Sequence, residues 1–474
     1  MRLVGTRLLS IRSGPHEVWH GVSFLFRDAD WVTPEPLVEQ IEQEPLAGGF
    51  RVTFRAHVPV NPRIDLCITI EGDATGRARY EGTATARGGI DTNRTGLCLM
   101  YPLSVIGRRV EVRHGDGRLS HSTFPRRIAP WPPFMSVRAI RHEVVDGAWA
   151  SARLEGDVFE MEDQRNIADA SFKVYSRSNF MPRPYRLRAG QSVRQAVELQ
   201  LTTPAALALP RPAPNRSDIP AVTPLCLGIG IGIEHADAAH AAALAPWLGQ
   251  LAPRHLHLRL DAADIAAVDW EGIRSLLEAA GAELRLDLTR VPEGGKEQAF
   301  PGIGVGGGAP YFFTQLNRLE DLGRVDHLSF TTSALVHGAD DESVMAGLQS
   351  LPWMMETLAV SHPGVPVHLG PSGIGTRTSP LGAQPDSDDS SRLTLARHDP
   401  RSRALFGAAW LLGYVASCIT ARVDGLSMST RVELVDAAAW RAFEVGSSSS
   451  PWRSVGAHGA PLRLPPLAVA KLRR

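Results

Sequence analysis

The 474-residue sequence has few cysteines and no surplus of charge of either sign. Cys67, Cys98, Cys226 and Cys418 are scattered, with no C-x-x-C pair and no zinc-type spacing, which indicates free thiols in a reducing cytoplasm. Lys and Arg together number 50, and so do Asp and Glu, so the basic excess typical of proteins that bind nucleic acid or anionic membranes is missing. We therefore expect neither as a partner.

Long apolar runs are missing as well. The longest uncharged stretch, residues 405–421, is shorter than the roughly 20 residues of a membrane-spanning helix and contains Gly407 and Gly413. Near the N-terminus, Arg7 and Arg12 interrupt the apolar residues that a secretory signal would need. These features predict a cytoplasmic protein with no membrane partner, and residues 405–421 are interpreted as a buried helix of a large domain.

Proline marks the clearest boundary between domains. Residues 204–224 contain six prolines, which remove backbone donors and fix φ, and this predicts a linker. Residues 1–203 form short alternating segments separated by turn residues, which predicts an N-terminal β-sandwich domain. Residues 225–430 alternate apolar strands with amphipathic helices, which predicts a TIM-barrel-like domain, with a doubly wound sheet as the alternative. Residues 431–474 are predicted to be a small C-terminal β segment, giving a multidomain α and β protein.

Three motifs that carry chemistry in other proteins fail in the α/β region. Residues 228–233 (GIGIGI) do not form G-x-G-x-x-G, because Ile233 stands where a glycine is required, and small residues in a tight barrel strand explain them better. Residues 370–375 (GPSGIG) are not the G-x-S-x-G turn of a serine hydrolase. The strand ends also lack the two acids that a retaining glycosidase needs.

The barrel region still offers polar candidates. His255, His257, Arg259 and Asp261 share one strand face; the histidines are interpreted as structural, and Arg259 and Asp261 are expected at the barrel mouth. Asp340 is suited to capping the helix that follows it. The substrate-binding candidates of this region are Arg259, Asn317, His337 and Asp341.

The densest polar cluster lies in the N-terminal region, in residues 159–175, FEMEDQRNIADASFKVY. Glu160 and Glu162 share a face of a predicted strand, about 7 Å apart. A turn with Asp163 and Arg165 follows, and a return strand carries Lys173. Two interpretations are open, and spacing alone slightly favours the first: a lattice of ion pairs that joins loops, or a wall that binds a polyhydroxylated ligand.

These segments resemble the D-apionate lactonase family of bacterial sugar catabolism. The resemblance rests on residues 88–96 (GGIDTNRTG), 140–144 (IRHEV) and above all 159–175, and it continues in residues 327–345 and 399–414. It implies an N-terminal β domain, a TIM barrel and a small C-terminal β domain. It also implies hydrolysis of D-apionolactone to D-apionate, so we expect a hydrolase that acts on a carboxylic ester bond.

Such a reaction needs a base for water, donors for the oxyanion and a proton for the leaving alkoxide. The candidate bases are Glu160, Glu162 and Asp163. Arg165 or Lys173 is expected to hold the oxyanion, and His142 to supply the proton. Candidate substrate-binding residues in the N-terminal region are Asp91, Asn93, Arg94, Asn166 and Asp169.

The sequence leaves the mechanism and the class partly open. No nucleophilic Ser or Cys is indicated, which favours direct attack by water and no cofactor. Asp, Glu and His are also ligands of hard cations, so a divalent metal stays open. A glycoside hydrolase-like enzyme and a non-catalytic carbohydrate-binding protein are the alternative functions.

Overall fold

The computed structural model describes residues 1–202, 229–289, 304–309, 311–319, 325–385 and 392–428. The chain divides into two compact units. The first contains the described residues up to Thr202 together with 380–385 and 393–395, and the second contains the other described residues. The predicted linker at 204–224 and the predicted β segment at 431–474 lie outside the described residues.

The first unit consists mainly of β structure. Its strands are β1 Arg2–Val4, β2 Arg7–Ser13, β3 His16–Arg27, β4 Leu37–Leu46, β5 Gly49–Val58, β6 Ile64–Asp73, β7 Arg77–Ala86, β8 Ile90–Thr92, β9 Arg94–Pro102, β10 Arg109–His114, β11 Leu119–Thr123, β12 Phe134–Val145, β13 Ala148–Glu155, β14 Phe159–Asp163, β15 Ser171–Ser176, β16 Tyr185–Leu187 and β17 Ser192–Leu201. Short 3-10 helices cover Leu103–Val105 and Gln164–Ile167.

Fifteen of these strands belong to one continuous antiparallel sheet. Its order is β1-β2-β3-β9-β15-β14-β12-β13-β17-β7-β6-β5-β4, with β10 paired to β12 and to β11, while β8 and β16 pair separately. The prediction of β structure is confirmed, but a sandwich of two separate sheets is not. Alternation in the sequence decides which residues face the core, and it does not decide which strands pair.

The core of this unit comes from alternate residues of these strands. In β6, for example, Ile64, Leu66, Ile68 and Ile70 are buried, as period-two alternation requires. Strands far apart in the sheet order also pack face to face. A Cβ on Gly82 of β7 would lie 2.1 Å from the Phe24 ring of β3, so only glycine leaves room for that ring.

The second unit contains a closed barrel of parallel strands. The strands are β18 Ile229–Ile233, β19 His255–Leu260, β20 Glu283–Leu288, β21 Val305–Gly308, β22 His327–Phe330, β23 Val367–Ser372 and β24 Gly425–Met428, and β18 pairs with β24. The helices are α1 Ala241–Leu251, α2 Trp270–Ala280, α3 Phe313–Asn317, α4 Asp341–Ala346, α5 Leu351–Ser361 and α6 Leu405–Thr420. Further 3-10 helices cover His235–His240, Ala262–Ala267, Gly347–Ser350 and Pro400–Arg403.

The closed barrel agrees with the predicted TIM-barrel-like fold and differs from the doubly wound alternative. Its helices follow the usual sequence rules: α2 begins where Asp269 accepts a hydrogen bond from the Gly272 amide at 3.0 Å, and it ends at Gly281 with φ +59°. Helix α6 coincides with the apolar stretch 405–421 and buries one side, including Trp410 and Tyr414. Within the described ranges, no helix is both long and apolar enough to cross a membrane.

Candidate active site

Strand β14 divides the central motif between the two faces of the sheet. Phe159 and Met161 point into the apolar core, and Glu160 and Glu162 point to the opposite face. Glu160 is fully buried and Glu162 is partly exposed. The predicted placement of the two carboxylates on one face is therefore correct.

The neighbouring strands continue this second face with charged side chains. In the register, Glu160 lies opposite Tyr175 and Glu162 opposite Lys173. Residues directly opposite each other in an antiparallel pair share a face of the sheet. Cys98 lies opposite Tyr175 and is therefore on this face. Arg94, four residues before Cys98 on β9, is on the same face, and so is Arg27 of β3, which lies opposite Arg94. We name this set the polar face; it comprises Arg27, Arg94, Cys98, Glu160, Glu162, Lys173 and Tyr175.

Glu160 is held on the polar face by two donors to the same oxygen. Its Oε1 accepts hydrogen bonds from the Tyr175 hydroxyl at 2.9 Å and from the Asn179 amide at 2.6 Å. The Asn179 side chain donates to the Tyr175 oxygen at 2.5 Å and accepts from Arg94 Nη2 at 2.6 Å. The Arg94 guanidinium carbon lies 3.4 Å from the centre of the Tyr175 ring. These contacts fix the positions of both the carboxylate and the guanidinium.

Lys173 and Arg27 bring buried positive charge to the polar face. Burial lowers the pKa of Lys173 to about 8, and the charges of Arg27 and Arg94 act in the same direction. Its Nζ donates to Gln164 Oε1 at 3.2 Å. Burial, followed by repulsion from Arg94, lowers the pKa of Arg27 to about 10. Arg27 still keeps its charge at neutral pH.

Several buried polar atoms here have no hydrogen-bond partner among the described residues. They are Arg27 Nε and Nη2, Arg94 Nε, Glu160 Oε2 and Gln164 Nε2. Buried polar groups in proteins are nearly always paired, because an unmade hydrogen bond costs about 1–3 kcal/mol. Donors and an acceptor left over side by side are suited to a ligand that carries both kinds of group.

Asp163 and Arg165 lie apart from the polar face and hold a loop. The two fully buried side chains form a two-pronged ion pair, with Arg165 Nε to Oδ1 at 2.8 Å and Nη2 to Oδ2 at 2.6 Å. Arg165 also donates to the carbonyls of Pro125 and Arg126, and Asp163 accepts from the Ala129 amide. Both side chains are used in this structural tie, so these contacts do not support Asp163 as the base or Arg165 as the oxyanion donor, and the two roles stay predictions.

His142 is buried in the apolar core on the face away from the carboxylates. Its ring centre lies 5.0 Å from that of Tyr101, 5.7 Å from Trp19 and 6.3 Å from Phe124. Burial lowers the pKa of His142 to about 4, so the imidazole is neutral at pH 7. The sheet separates His142 from the polar face, so its position does not support donation of a proton to the leaving group there, and that role stays a prediction.

The predicted substrate-binding residues of this unit have different surroundings. Asn166 donates to the Ala129 carbonyl at 2.5 Å, and Asn93 donates to the Ala29 carbonyl at 2.7 Å, so both stabilise loops. Asp91 forms an exposed ion pair with Arg186. Asp169 is partly exposed, and its negative charge partly opposes the lowering of the pKa values of Arg27 and Lys173. Arg94 belongs to the polar face itself.

The interior of the barrel contains a second polar cluster. Asp287 accepts hydrogen bonds from His257 Nε2 at 2.7 Å, His327 Nε2 at 3.0 Å and Arg259 Nη2 at 3.0 Å. Burial alone would raise the pKa of Asp287, but His257, His327 and Arg259 hold it well below its usual value. Arg259 also donates to Ser329 and to the Gly370 carbonyl, so it points into the barrel.

Glycines make the space for these side chains. A Cβ on Gly230 would lie 2.2 Å from the His255 ring, and one on Gly306 would lie 2.0 Å from His327 Nε2. Residues 229–233 of the GIGIGI segment thus form a tight barrel strand, which is the structural explanation that the sequence favoured over a nucleotide motif. The histidines of β19 take part in packing and hydrogen bonding: His255 and His257 both contact the Ser427 hydroxyl.

At the barrel loops, two predicted acids have structural contacts. Asp340 caps α4 by accepting from the Ser343 amide at 3.0 Å, and Asp341 pairs with Arg401 at 2.7 Å and Arg392 at 3.1 Å. Asn317 and His337 are partly buried, and their role in binding stays a prediction. In the described part of the chain, no three His, Cys, Asp or Glu side chains are arranged to hold a metal ion.

Comparison with known proteins identifies the family. Residues 1–204 match the family model of the D-apionate lactonase N-terminal domain, and residues 294–437 match that of the D-apionate lactonase TIM barrel domain. The curated D-apionate lactonase of Brucella anthropi is 31% identical, over 87% of this chain and 78% of its own length. The chain belongs to the D-apionate lactonase family. The family predicted from the sequence is therefore confirmed. The predicted enzyme class is confirmed as well: a lactonase, which is a hydrolase that acts on carboxylic ester bonds.

Solved structures share little with this family member. A GalM/aldose epimerase homologue from C. elegans is 12% identical, over 35% of this chain and 69% of its own, with a TM-score of 0.24. The α-N-acetylgalactosaminidase NagBb from Bifidobacterium bifidum is 9% identical, over 89% of this chain and 90% of its own, with a TM-score of 0.23. With scores this low, these likenesses establish neither fold nor function.

Proposed function

We propose that this protein hydrolyses a sugar-derived lactone of the D-apionolactone type to the open aldonate, in carbohydrate catabolism. The active site is the polar face of the N-terminal sheet. The observation that carries this proposal is the set of buried polar atoms, at Arg27, Arg94, Glu160 and Gln164, that have no hydrogen-bond partner within the described part of the chain. A lactone of a sugar supplies acceptors for the cationic donors and hydroxyl donors for the carboxylate.

Glu162 is the general base in this mechanism. It is the partly exposed carboxylate of the polar face, whereas one oxygen of Glu160 is already occupied by Tyr175 and Asn179. Glu162 accepts a proton from water as the water oxygen bonds to the lactone carbonyl carbon. No acyl-enzyme forms, and the oxygen that enters the product carboxylate comes from water.

The two arginines stabilise the charge that develops on the carbonyl oxygen. Arg27 and Arg94 are buried, and each keeps at least one N–H group that has no partner among the described residues. Fixed donors in a site that excludes water stabilise an oxyanion more strongly than solvent does, because they need no reorganisation as the charge appears. Asn179 restricts Arg94 to its position over Tyr175.

Lys173 is the general acid that replaces the predicted His142. When the tetrahedral intermediate collapses, the bond from the carbonyl carbon to the ring oxygen breaks and that oxygen leaves as an alkoxide. With its pKa lowered to about 8, Lys173 is mostly protonated at neutral pH and donates more readily than an ordinary lysine. The new carboxylic acid gives its proton back to Lys173 as the aldonate leaves, and Glu162 returns its proton to solvent. Each turnover therefore releases one proton and regenerates both side chains.

The test is a proton-release assay with purified protein and a panel of sugar lactones, with spontaneous hydrolysis subtracted. Acidification above that background supports the proposal, and Glu162→Gln is its matched control. If the protein releases a monosaccharide from an apiose-containing glycoside and leaves the lactones unhydrolysed, it is instead a glycoside hydrolase. A rise in melting temperature with no turnover would indicate a binding protein. Repeating the assay after treatment with a chelator decides whether a divalent metal takes part.

A further inference from the structure

Two aromatic side chains are strongly exposed and in contact with each other. Trp131 is 57% exposed and Phe180 is 66% exposed, and their ring centres lie 6.4 Å apart with an angle of 36° between the planes. Each ring would bury 150–250 Å² in a core, roughly, so exposing both forgoes considerable hydrophobic free energy. Exposed apolar groups rimmed by polar residues are typical of binding sites.

The loop that carries Trp131 is fastened by the central motif. The Ala129 amide donates to Asp163 Oδ2 at 3.1 Å, and the Ala129 carbonyl accepts from Asn166 at 2.5 Å. Arg165 donates to the carbonyls of Pro125 and Arg126, which lie four and three residues before Ala129. Trp131 follows Ala129 by two residues, so its backbone is fixed by side chains of residues 163–166. The ion pair of Asp163 and Arg165, which takes no part in the proposed mechanism, thus holds the loop that carries Trp131.

The loop that carries Phe180 is fastened to the polar face. Asn179, the residue directly before Phe180, donates its backbone N–H to Glu160 Oε1 at 2.6 Å. Its carbonyl accepts from Arg183 Nη2 at 2.5 Å, and its side chain accepts from Arg94. Phe180 therefore directly follows the residue whose backbone binds the Glu160 carboxylate of the proposed active site. The position of Phe180 depends on the hydrogen bonds that hold Asn179.

We propose that Trp131 and Phe180 form a stacking platform for the ring of the sugar lactone and thereby determine substrate affinity and specificity. This inference rests on the proposed function and extends it. A sugar lactone has polar hydroxyl and carbonyl groups at its edge and apolar C–H groups on its ring faces. The ring faces pack on the aromatic pair, and the polar groups reach those donors and the acceptor of the polar face that have no partner among the residues described.

The motif of residues 159–166 thus positions both parts of the site. Glu160 binds the loop that carries Phe180, and Asp163 and Asn166 bind the loop that carries Trp131. Hydrogen bonds from this one segment therefore position both aromatic rings. A preorganised platform of this kind lowers the entropic cost of binding, because the loops do not need to order around the ligand. It contributes equally to ground state and transition state, since it contacts ring faces and not the reacting carbonyl.

The variants Trp131→Ala and Phe180→Ala test the platform. Each should raise KM for the lactone about tenfold and leave kcat within about twofold, as expected when uniform binding is lost. The double variant should lose less than the product of the two effects, because the rings contact each other. Trp131→Phe should restore most of the affinity. Trp270→Ala, at an exposed tryptophan of the barrel unit, is the matched control and should leave KM unchanged.

A binding measurement separates this inference from the proposed reaction. Calorimetric titration with the corresponding sugar lactam, which has the ring but resists hydrolysis, should give a Kd that rises about tenfold in both alanine variants. If the wild type hydrolyses lactones and both variants keep its KM and Kd, the platform is disproved and the function stands. If the wild type binds the lactam without hydrolysing lactones, the reaction is disproved and the variants still decide the platform. If the wild type does neither, both are overturned.

Discussion

Glu160 and Asp163 lie three residues apart on strand β14, and their carboxylates leave opposite faces of the same sheet. Glu160 accepts from Tyr175 and Asn179 on the polar face, and Asp163 pairs with Arg165 beneath the loop that contains Ala129. Both interpretations of the motif therefore have a counterpart in the structure: an ion pair that joins loops on one face, and a polar face suited to a ligand on the other. The carboxylate at an even position belongs to the proposed active site, and the one at an odd position stabilises the loop.

Asp163→Asn should destabilise the protein without removing its activity. Loss of one partner leaves the Arg165 charge buried and uncompensated, which costs about 3–5 kcal/mol. Urea unfolding measures the loss, and the fraction that stays folded should keep the wild-type kcat. Asp91→Asn, which breaks the exposed pair with Arg186, is the control and should cost less than about 1 kcal/mol. A large loss of kcat at unchanged stability would give Asp163 a catalytic role.

Lys173 should produce an alkaline limit in the pH profile. The pKa of its amine is lowered to about 8 by burial, so the proton that it donates is lost as the pH rises through that value. After subtraction of spontaneous hydrolysis, kcat should fall above about pH 8. Lys173→Met should have a low kcat that does not change between pH 7 and 9. A wild-type kcat that is constant up to pH 9.5 would exclude Lys173 as the acid.

His142 should make stability fall with pH on the acid side. Burial lowers the pKa of His142 from 6.5 to about 4, so between these values the unfolded chain binds a proton that the folded chain excludes. Stability therefore falls as the pH drops from 6.5 to 4, by up to about 3 kcal/mol from this residue. Unfolding of His142→Phe should show a correspondingly flatter dependence. Parallel curves for variant and wild type would contradict the burial of a neutral imidazole.

Gly306→Ala should disturb the barrel. Its Cβ would lie 2.0 Å from His327 Nε2 and 2.2 Å from Asp287 Oδ1, inside the buried cluster. Overpacking of this kind costs about 1–3 kcal/mol, which thermal unfolding can measure. The matched control is Gly304→Ala two residues earlier, where the nearest atom is 4.0 Å away. Equal stability of the two variants would show that the interior is less tightly packed than described.

Much of the fold could be predicted from the sequence because it depends on local periodicity. The helix at residues 405–420 follows from a long apolar stretch without charges, and the shared face of Glu160 and Glu162 follows from the two-residue repeat of a strand. The continuous fifteen-stranded sheet could not be predicted in this way. Its order places β17 next to β7 and β9 next to β3, and such pairings between distant segments leave no pattern in a single sequence.

The site was predictable as a segment but not as an arrangement. The motif and Arg94 lie at the polar face, where the active site is proposed. Arg27 was not among the predicted residues, because a lone arginine at a strand end carries no signal until β3 pairs with β9. The apolar surroundings of His142 could not be predicted for the opposite reason. Its neighbour Glu143 suggested a polar segment, whereas Trp19, Tyr101 and Phe124 from other strands surround the ring. Trp131 and Phe180 likewise meet only in the folded chain.

The kcat of Glu162→Gln in lactone hydrolysis tests the location of the active site most directly. The amide keeps the shape of the side chain and removes its basicity, and Glu162 is only partly buried, so the melting temperature should hardly change. We predict a loss of about 10²–10⁴-fold in kcat, measured by proton release on protein whose folding is verified by circular dichroism. A folded Glu162→Gln variant with the wild-type kcat would contradict the location of the active site on the polar face and would indicate the polar cluster of the barrel instead.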